Sequence, residues 1–106
     1  MPFIEYKGQQ IEVDEDGFLA DPSLWNEEMA RFLADHEEGI KELTEDHWKV
    51  VYYLNKYYKD FGIAPMVRKL TKDTGIQLKQ IYELFPQGPA NSACKWAGLP
   101  KPTGCV

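Results

Sequence analysis

The chain contains no apolar run approaching the ~20 residues that a membrane-spanning helix needs, so direct membrane insertion is not expected. Its opening, Met1-Pro-Phe-Ile-Glu-Tyr6, lacks both the basic and the apolar region of a secretion signal, and the expected compartment is the cytoplasm. A glycine-rich phosphate loop, a C-x-x-C redox motif and paired acidic residues in an evident cleft are all missing. An independent enzyme is therefore disfavoured. His36 and His47 fall in separate helical regions without H-x-x-x-H spacing, so both read as exposed or capping residues, and no metal or intrinsic cofactor is expected. The acidic run Asp14-Glu-Asp-Gly17 is too short for a calcium loop and has no distal glutamate at the required spacing. Cysteine is scarce, with Cys94 and Cys105 the only two.

What is present suffices for one globular domain. In 106 residues, 43% hydrophobic and 13% aromatic side chains supply a modest core without disulfide or metal staples. Cysteines in a reducing compartment are then reactive, redox-active or metal-binding rather than structural. Charge is divided unevenly. Residues 1–64 hold six basic and fifteen acidic residues, net −9, whereas 65–106 hold six basic and two acidic, net +4. Positive charge around the cysteines suits an anionic substrate or an acidic docking surface, although lysines and arginines that merely solvate helix faces give the same count.

Polarity patterns predict an α+β, mostly α fold. Phe3-Ile-Glu-Tyr6 and Gln10-Ile-Glu-Val13 alternate in polarity around Lys7-Gly8-Gln9, the pattern of a β-hairpin, and Asp14–Gly17 forms a turn. Asp21-Pro22 caps and starts a first helix, whose stripe of Leu24, Trp25, Met29, Phe32 and Leu33 runs to about Asp35. Thr44 caps a second, with Trp48, Val51, Tyr52, Leu54, Asn55 and Tyr58 on the buried face, stopped by Phe61-Gly62. The Tyr52-Tyr53 and Tyr57-Tyr58 pairs read as core plus rim. Pro65 starts a third helix with Met66, Val67 and Leu70, ending at Thr74-Gly75, and a fourth covers about Gln77 to Phe85. These last two outline a helix-turn-helix, with Gln77, Lys79 and Gln80 as the residues that would read DNA. After Pro86, Gly88 and Pro89, a short final helix carries Cys94, giving about five helices in all. Trp96 is expected to fill core.

The last thirteen residues carry most of the functional information. Gly98, Pro100, Pro102 and Gly104 favour an extended, hinged arm over residues 99–106, attached to a globular domain of residues 1–98. Cys105, next to Val106 at the end of the sequence, is expected to be presented rather than buried. From Leu99 to Cys105 the arm spans roughly 23 Å at ~3.3 Å per residue, enough to fold back on its own domain or to enter a partner's channel. Lys95 and Lys101 would lower thiol pKa values and the Val106 carboxylate would raise that of Cys105, leaving the net sign open. If Asn91 caps the last helix, Cys94 gains from its dipole; if the helix starts at Pro89, the reading adopted, Cys94 lies too deep for that.

Tyr82-Glu-Leu-Phe-Pro-Gln-Gly-Pro89, Ala93-Cys94 and Ala97-Gly-Leu-Pro-Lys-Pro-Thr-Gly-Cys-Val106 closely resemble the DsrC family, the gamma subunit of dissimilatory sulfite reductase, within the DsrC/TusE superfamily. The resemblance covers the whole chain, including Val13-Asp-Glu-Asp-Gly-Phe18 and Gly62-Ile-Ala-Pro-Met-Val-Arg68. It implies that Cys105 accepts sulfite-derived sulfur and that Cys94 joins it in an internal trisulfide or disulfide, later reduced to release sulfide. Arg68, Lys95 and Lys101 are candidate charge partners for the sulfur oxyanion or the docking site, a helix-face arginine being the simpler reading of Arg68. The implied partners are a sirohaem sulfite reductase, which owns the sirohaem and iron–sulfur clusters, a membrane-bound reductase that regenerates the dithiol, and sulfur-transfer proteins. The chain itself would be a co-substrate.

Relatives with only the penultimate cysteine resemble the TusE branch, which relays persulfide for tRNA thiolation, and Cys94 argues against that branch. Gln77-Leu-Lys-Gln-Ile81 runs into Tyr82 without the insertion common in members from sulfur oxidisers, which favours the reductive direction. A DNA-binding regulator is disfavoured as the main role by the acidic net charge of −5 and the single lysine of the reading helix.

Overall fold

The computed structural model describes residues 2–101. Strands β1 (Phe3–Tyr6) and β2 (Gln9–Glu12) pair antiparallel, with Tyr6 opposite Gln9 and Phe3 opposite Glu12. Gln9, expected in the loop, opens β2 instead, because Lys7 (φ 51°) and Gly8 (φ 76°) make a two-residue turn with both residues left-handed, the geometry that matches strand twist. A two-stranded ribbon is marginal alone. Here Ile11 and Val13 bury one face in the core, and Val13 bridges to Leu19 across the acidic turn. Within that turn the Asp14 carboxylate accepts from the backbone N–H groups of Asp16 (2.8 Å) and Phe18 (3.0 Å), an Asx-type closure.

Five α-helices follow: α1 (Glu27–Glu38), α2 (Glu45–Phe61), α3 (Val67–Thr74), α4 (Leu78–Leu84) and α5 (Cys94–Trp96). The single first helix expected from Asp21 is split. Asp21 caps only a 3-10 turn over Pro22–Leu24, Trp25 is extended (ψ 137°), and Asn26 caps α1 afresh by accepting from the Met29 N–H at 2.8 Å. The break turns Trp25 out of the helical path towards α5. In α2, Thr44 caps as expected, yet His47 and Val50 join Val51, Leu54 and Asn55 on the buried side while Tyr52 remains 43% exposed. The stripe is rotated by one position, leaving Trp48 and Tyr58 on its rim. Helix α3 starts two residues after buried Pro65, and Met66, expected within the helix, is instead its extended N-cap and is 65% exposed. The core is a single cluster to which β2 and all five α-helices contribute, with Leu33, Leu54, Leu70, Ile81, Phe85 and Trp96 among its fully buried side chains. No helix among the described residues is long and apolar enough to cross a membrane.

Candidate functional site

A π-helical turn over Pro89–Ala93 feeds directly into α5, so Cys94 lies beyond the first turn and receives little from the dipole, as a start at Pro89 requires. Cys94 is completely buried. Removing a thiolate from water is costly, and burial pushes the Cys94 thiol from 9.0 up to about 12. At neutral pH it is a packed, protonated thiol of low nucleophilicity. Lys95, expected to act in the opposite sense, is buried too, with its ammonium 3.4 Å from Glu37 Oε2 and 5.2 Å over the Phe18 ring. A buried ammonium requires such a carboxylate partner. Trp96 fills core, its ring 5.1 Å from Phe85.

The chain leaves α5 through a Schellman turn. Leu99 N–H donates to Cys94 O and Gly98 N–H to Lys95 O, each at 3.1 Å, the paired bonds that define this motif. Cys94 and Leu99 are thereby tied backbone to backbone. Gly98 adopts φ +81°, and a Cβ there would lie 2.6 Å from Cβ, Cγ and Cδ1 of Trp25. Trp25 Nε1–H donates to Trp96 O at 2.7 Å, and Asn55 Nδ2–H donates to Ala97 O at 2.8 Å. Leu99 is buried, whereas Pro100 and Lys101 are exposed, and Lys101 Nζ pairs with Asp16 Oδ2 at 2.6 Å. This pair holds the Asp16 carboxyl below, and the Lys101 amine above, its ordinary value.

The structure thus brings Cys94, Gly98 and Leu99 together, with Lys101 against the acidic turn. Arg68 is exposed on α3, a helix that packs on α2. Pro102, Gly104 and Cys105 lie outside the described residues. Sequence reasoning did not assign Trp25, Asn55, Asp16 or Glu37 to the site. For Asn55 a signal existed: an amide on an apolar helical stripe must find a buried partner.

His47 supports this region from below. Its Nδ1 accepts from the Thr44 N–H at 3.1 Å, so the proton sits on Nε2, which donates to Leu84 O at 2.8 Å. The ring meets Phe85 edge-on at 5.2 Å. Burial holds its pKa below 6.5, against the opposing effects of the Leu84 carbonyl and Asp46. Because the unfolded chain binds a proton more readily than the folded one, this contribution is full above the unfolded value and is lost as pH falls through and below 6.5. The thermal midpoint should drop between pH 7.5 and 5.5, and the drop should shrink in His47→Gln; equal drops in both proteins would show that His47 is not responsible.

The sequence profile of the DsrC-like protein family matches residues 5–106. The chain is 54% identical over 106 residues, covering all of both chains, to the dissimilatory-type sulfite reductase subunit gamma of Nitratidesulfovibrio vulgaris. It is 40% identical over 113 residues, again end to end, to the sulfurtransferase TusE of Photorhabdus laumondii. Among solved structures, the oxidized gamma subunit (DsrC) of Archaeoglobus fulgidus superposes with a TM-score of 0.87 at 49% identity, covering 99% of this chain and all of that one. The described residues form a hairpin followed by helices, with a thiol buried in the last of them. The chain belongs to the DsrC family.

The helix-turn-helix outline gains no support as a DNA reader from relatives named for sulfite reduction and sulfur transfer. Locally, Gln80 Oε1 accepts from the Gln77 N–H at 3.2 Å. The side chain of Gln80, one of the three candidate reading residues, is thus engaged in capping α4.

Proposed function

We propose that the protein is a sulfur carrier and co-substrate of a dissimilatory sulfite reductase, with Cys105 as the loading thiol and Cys94 as its internal partner. The observation that carries this reading is the backbone tie between Cys94 and Leu99, which sets the root of the arm at the buried thiol. Cys105 lies four residues beyond Lys101, a reach of about 14 Å at ~3.5 Å per residue. A relative named as a sulfite reductase subunit and others named as sulfurtransferases support sulfur as the cargo.

The chemistry balances as follows. Reducing the sulfur of sulfite to the level of the central atom of a trisulfide takes four electrons. Two come from the Cys94 and Cys105 thiols as their sulfurs bond to it, and two from the partner enzyme; the three sulfite oxygens leave as water. Four further electrons and four protons, from the dithiol-regenerating reductase, restore both thiols and release sulfide. Sirohaem and iron–sulfur chemistry belongs to the partner, and the carrier contributes two thiols and an arm. One extra sulfur in the bridge relaxes the close Cβ approach that a disulfide requires.

Incubation with sulfite reductase, sulfite and reductant should give an intact mass heavier by one sulfur and lighter by two hydrogens, with no thiol left to alkylate. A mass unchanged under turnover would refute the carrier role. A gain of one sulfur with a thiol still free would instead favour the TusE-like persulfide relay, the reading suggested by the 40% identical sulfurtransferase.

A further inference from the structure

We infer that Trp25 is a positioning residue that latches the root of the arm and thereby gates Cys94. This deepens the carrier reading and rests on it for its purpose, but not for its geometry. Cys94 cannot meet an incoming sulfur while it is fully buried, so some part of its cover must open. The most economical opening is the Schellman turn, since its 6→1 bond joins Leu99 N–H to Cys94 O itself. Releasing the turn also frees Gly98 and Leu99.

Trp25 holds that turn in two ways. Its Nε1–H donates to the carbonyl of Trp96, the last residue of α5. The rigid base of its side chain also lies flush on Gly98, closely enough that even a methyl group would collide at 2.6 Å. Tyr52 braces the indole edge-on at a centroid distance of 6.1 Å. Asn55 holds the next carbonyl, that of Ala97, from the opposite element, α2. Consecutive carbonyls at the end of α5 are therefore pinned by side chains, a use for polar groups that an ordinary helix end leaves to water. The split at Trp25–Asn26 now has a purpose: an uninterrupted helix from Asp21 would not deliver the indole here.

The test is the rate of Cys94 alkylation by iodoacetamide at fixed pH in a Cys105→Ser background, comparing Trp25→Phe, Trp25→Ala and a stability-matched control, Leu70→Ala, in α3. Trp25→Phe keeps an aromatic ring over Gly98 and loses the donor, so alkylation should quicken about threefold to tenfold, the range of one hydrogen bond. Trp25→Ala should quicken it by more than tenfold and exceed Leu70→Ala of equal thermal midpoint. Alkylation in Trp25→Ala no faster than in the matched control would overturn the latch, since mere destabilisation would explain it. If Trp25→Ala does not fold, Trp25→Phe decides: a rate within twofold of the parent overturns the inference. No sulfite reductase enters this measurement, so a failure of sulfur loading and a failure of the latch are read separately.

Discussion

Cys105→Ser should accept no sulfur from sulfite reductase and sulfite, whereas Cys94→Ser should load one sulfur and fail to form the internal bridge. The asymmetry follows from where the two residues lie. Cys94 is enclosed, with its thiol pushed up to about 12 by burial, and cannot be the group that enters a foreign active site. Cys105, the other cysteine of the sequence, is the thiol to which the proposal gives that step. On the proposed bridge, a loop would close across eleven positions, a constraint of roughly 3 kcal/mol in the chain-entropy description, and oxidation state would then be coupled to the position of the tail. Intact mass before and after alkylation distinguishes the variants. Loading of Cys105→Ser at the parent level would reverse the assignment of roles.

Gly98→Ala should be among the most destabilising single-methyl additions in the chain. An alanine at φ +81° occupies a region that L-residues enter at a cost of about 1–2 kcal/mol. Its methyl would also collide at 2.6 Å with the base of the Trp25 side chain, which cannot swing clear as a flexible tip could, adding about 1–3 kcal/mol of overpacking. The sum, about 2–5 kcal/mol, corresponds to a fall in thermal midpoint of at least about 10 °C for a domain of this size. Gly8→Ala offers a contrast, because a Cβ at Gly8 meets nothing within 4 Å and only the backbone cost remains. Equal midpoints for the two variants would show that Trp25 is not packed against Gly98 as described.

Much of this architecture was legible in local chemistry. Thr44, Gly62 and the Pro89 start are signals that act within a turn of the residue they affect, and the structure follows them. Signals failed where a distant partner decided the outcome. Asp21-Pro22 is a sound helix start, yet Trp25 leaves the helix because its indole bonds to Trp96, 71 residues on, and Asn26 then supplies a second cap. Likewise His47 carries the capping role expected of it, but a carbonyl 37 residues away buries it. Lys95 read as a charge available to a thiol, and only the fold reveals that Glu37 claims it. Pro65 and Met66 read as the first residues of α3, but Pro65 packs into a buried position and Met66 becomes the extended residue before the helix. For the site, a short motif draws attention to Cys94, but its complete burial comes only from the fold. Trp25, Asn55 and Asp16 were not legible, since what they do depends on which backbone atoms arrive beside them.

The most direct test of sulfur carriage is to supply sulfite labelled with heavy sulfur to the reductase and map the protease-digested carrier by tandem mass spectrometry. A peptide pair joining Cys94 and Cys105 through one labelled central sulfur is the expected product, and reduction should release that label as sulfide while restoring both thiols. Label recovered only as free sulfide, with Cys94 and Cys105 unmodified throughout turnover, would contradict it.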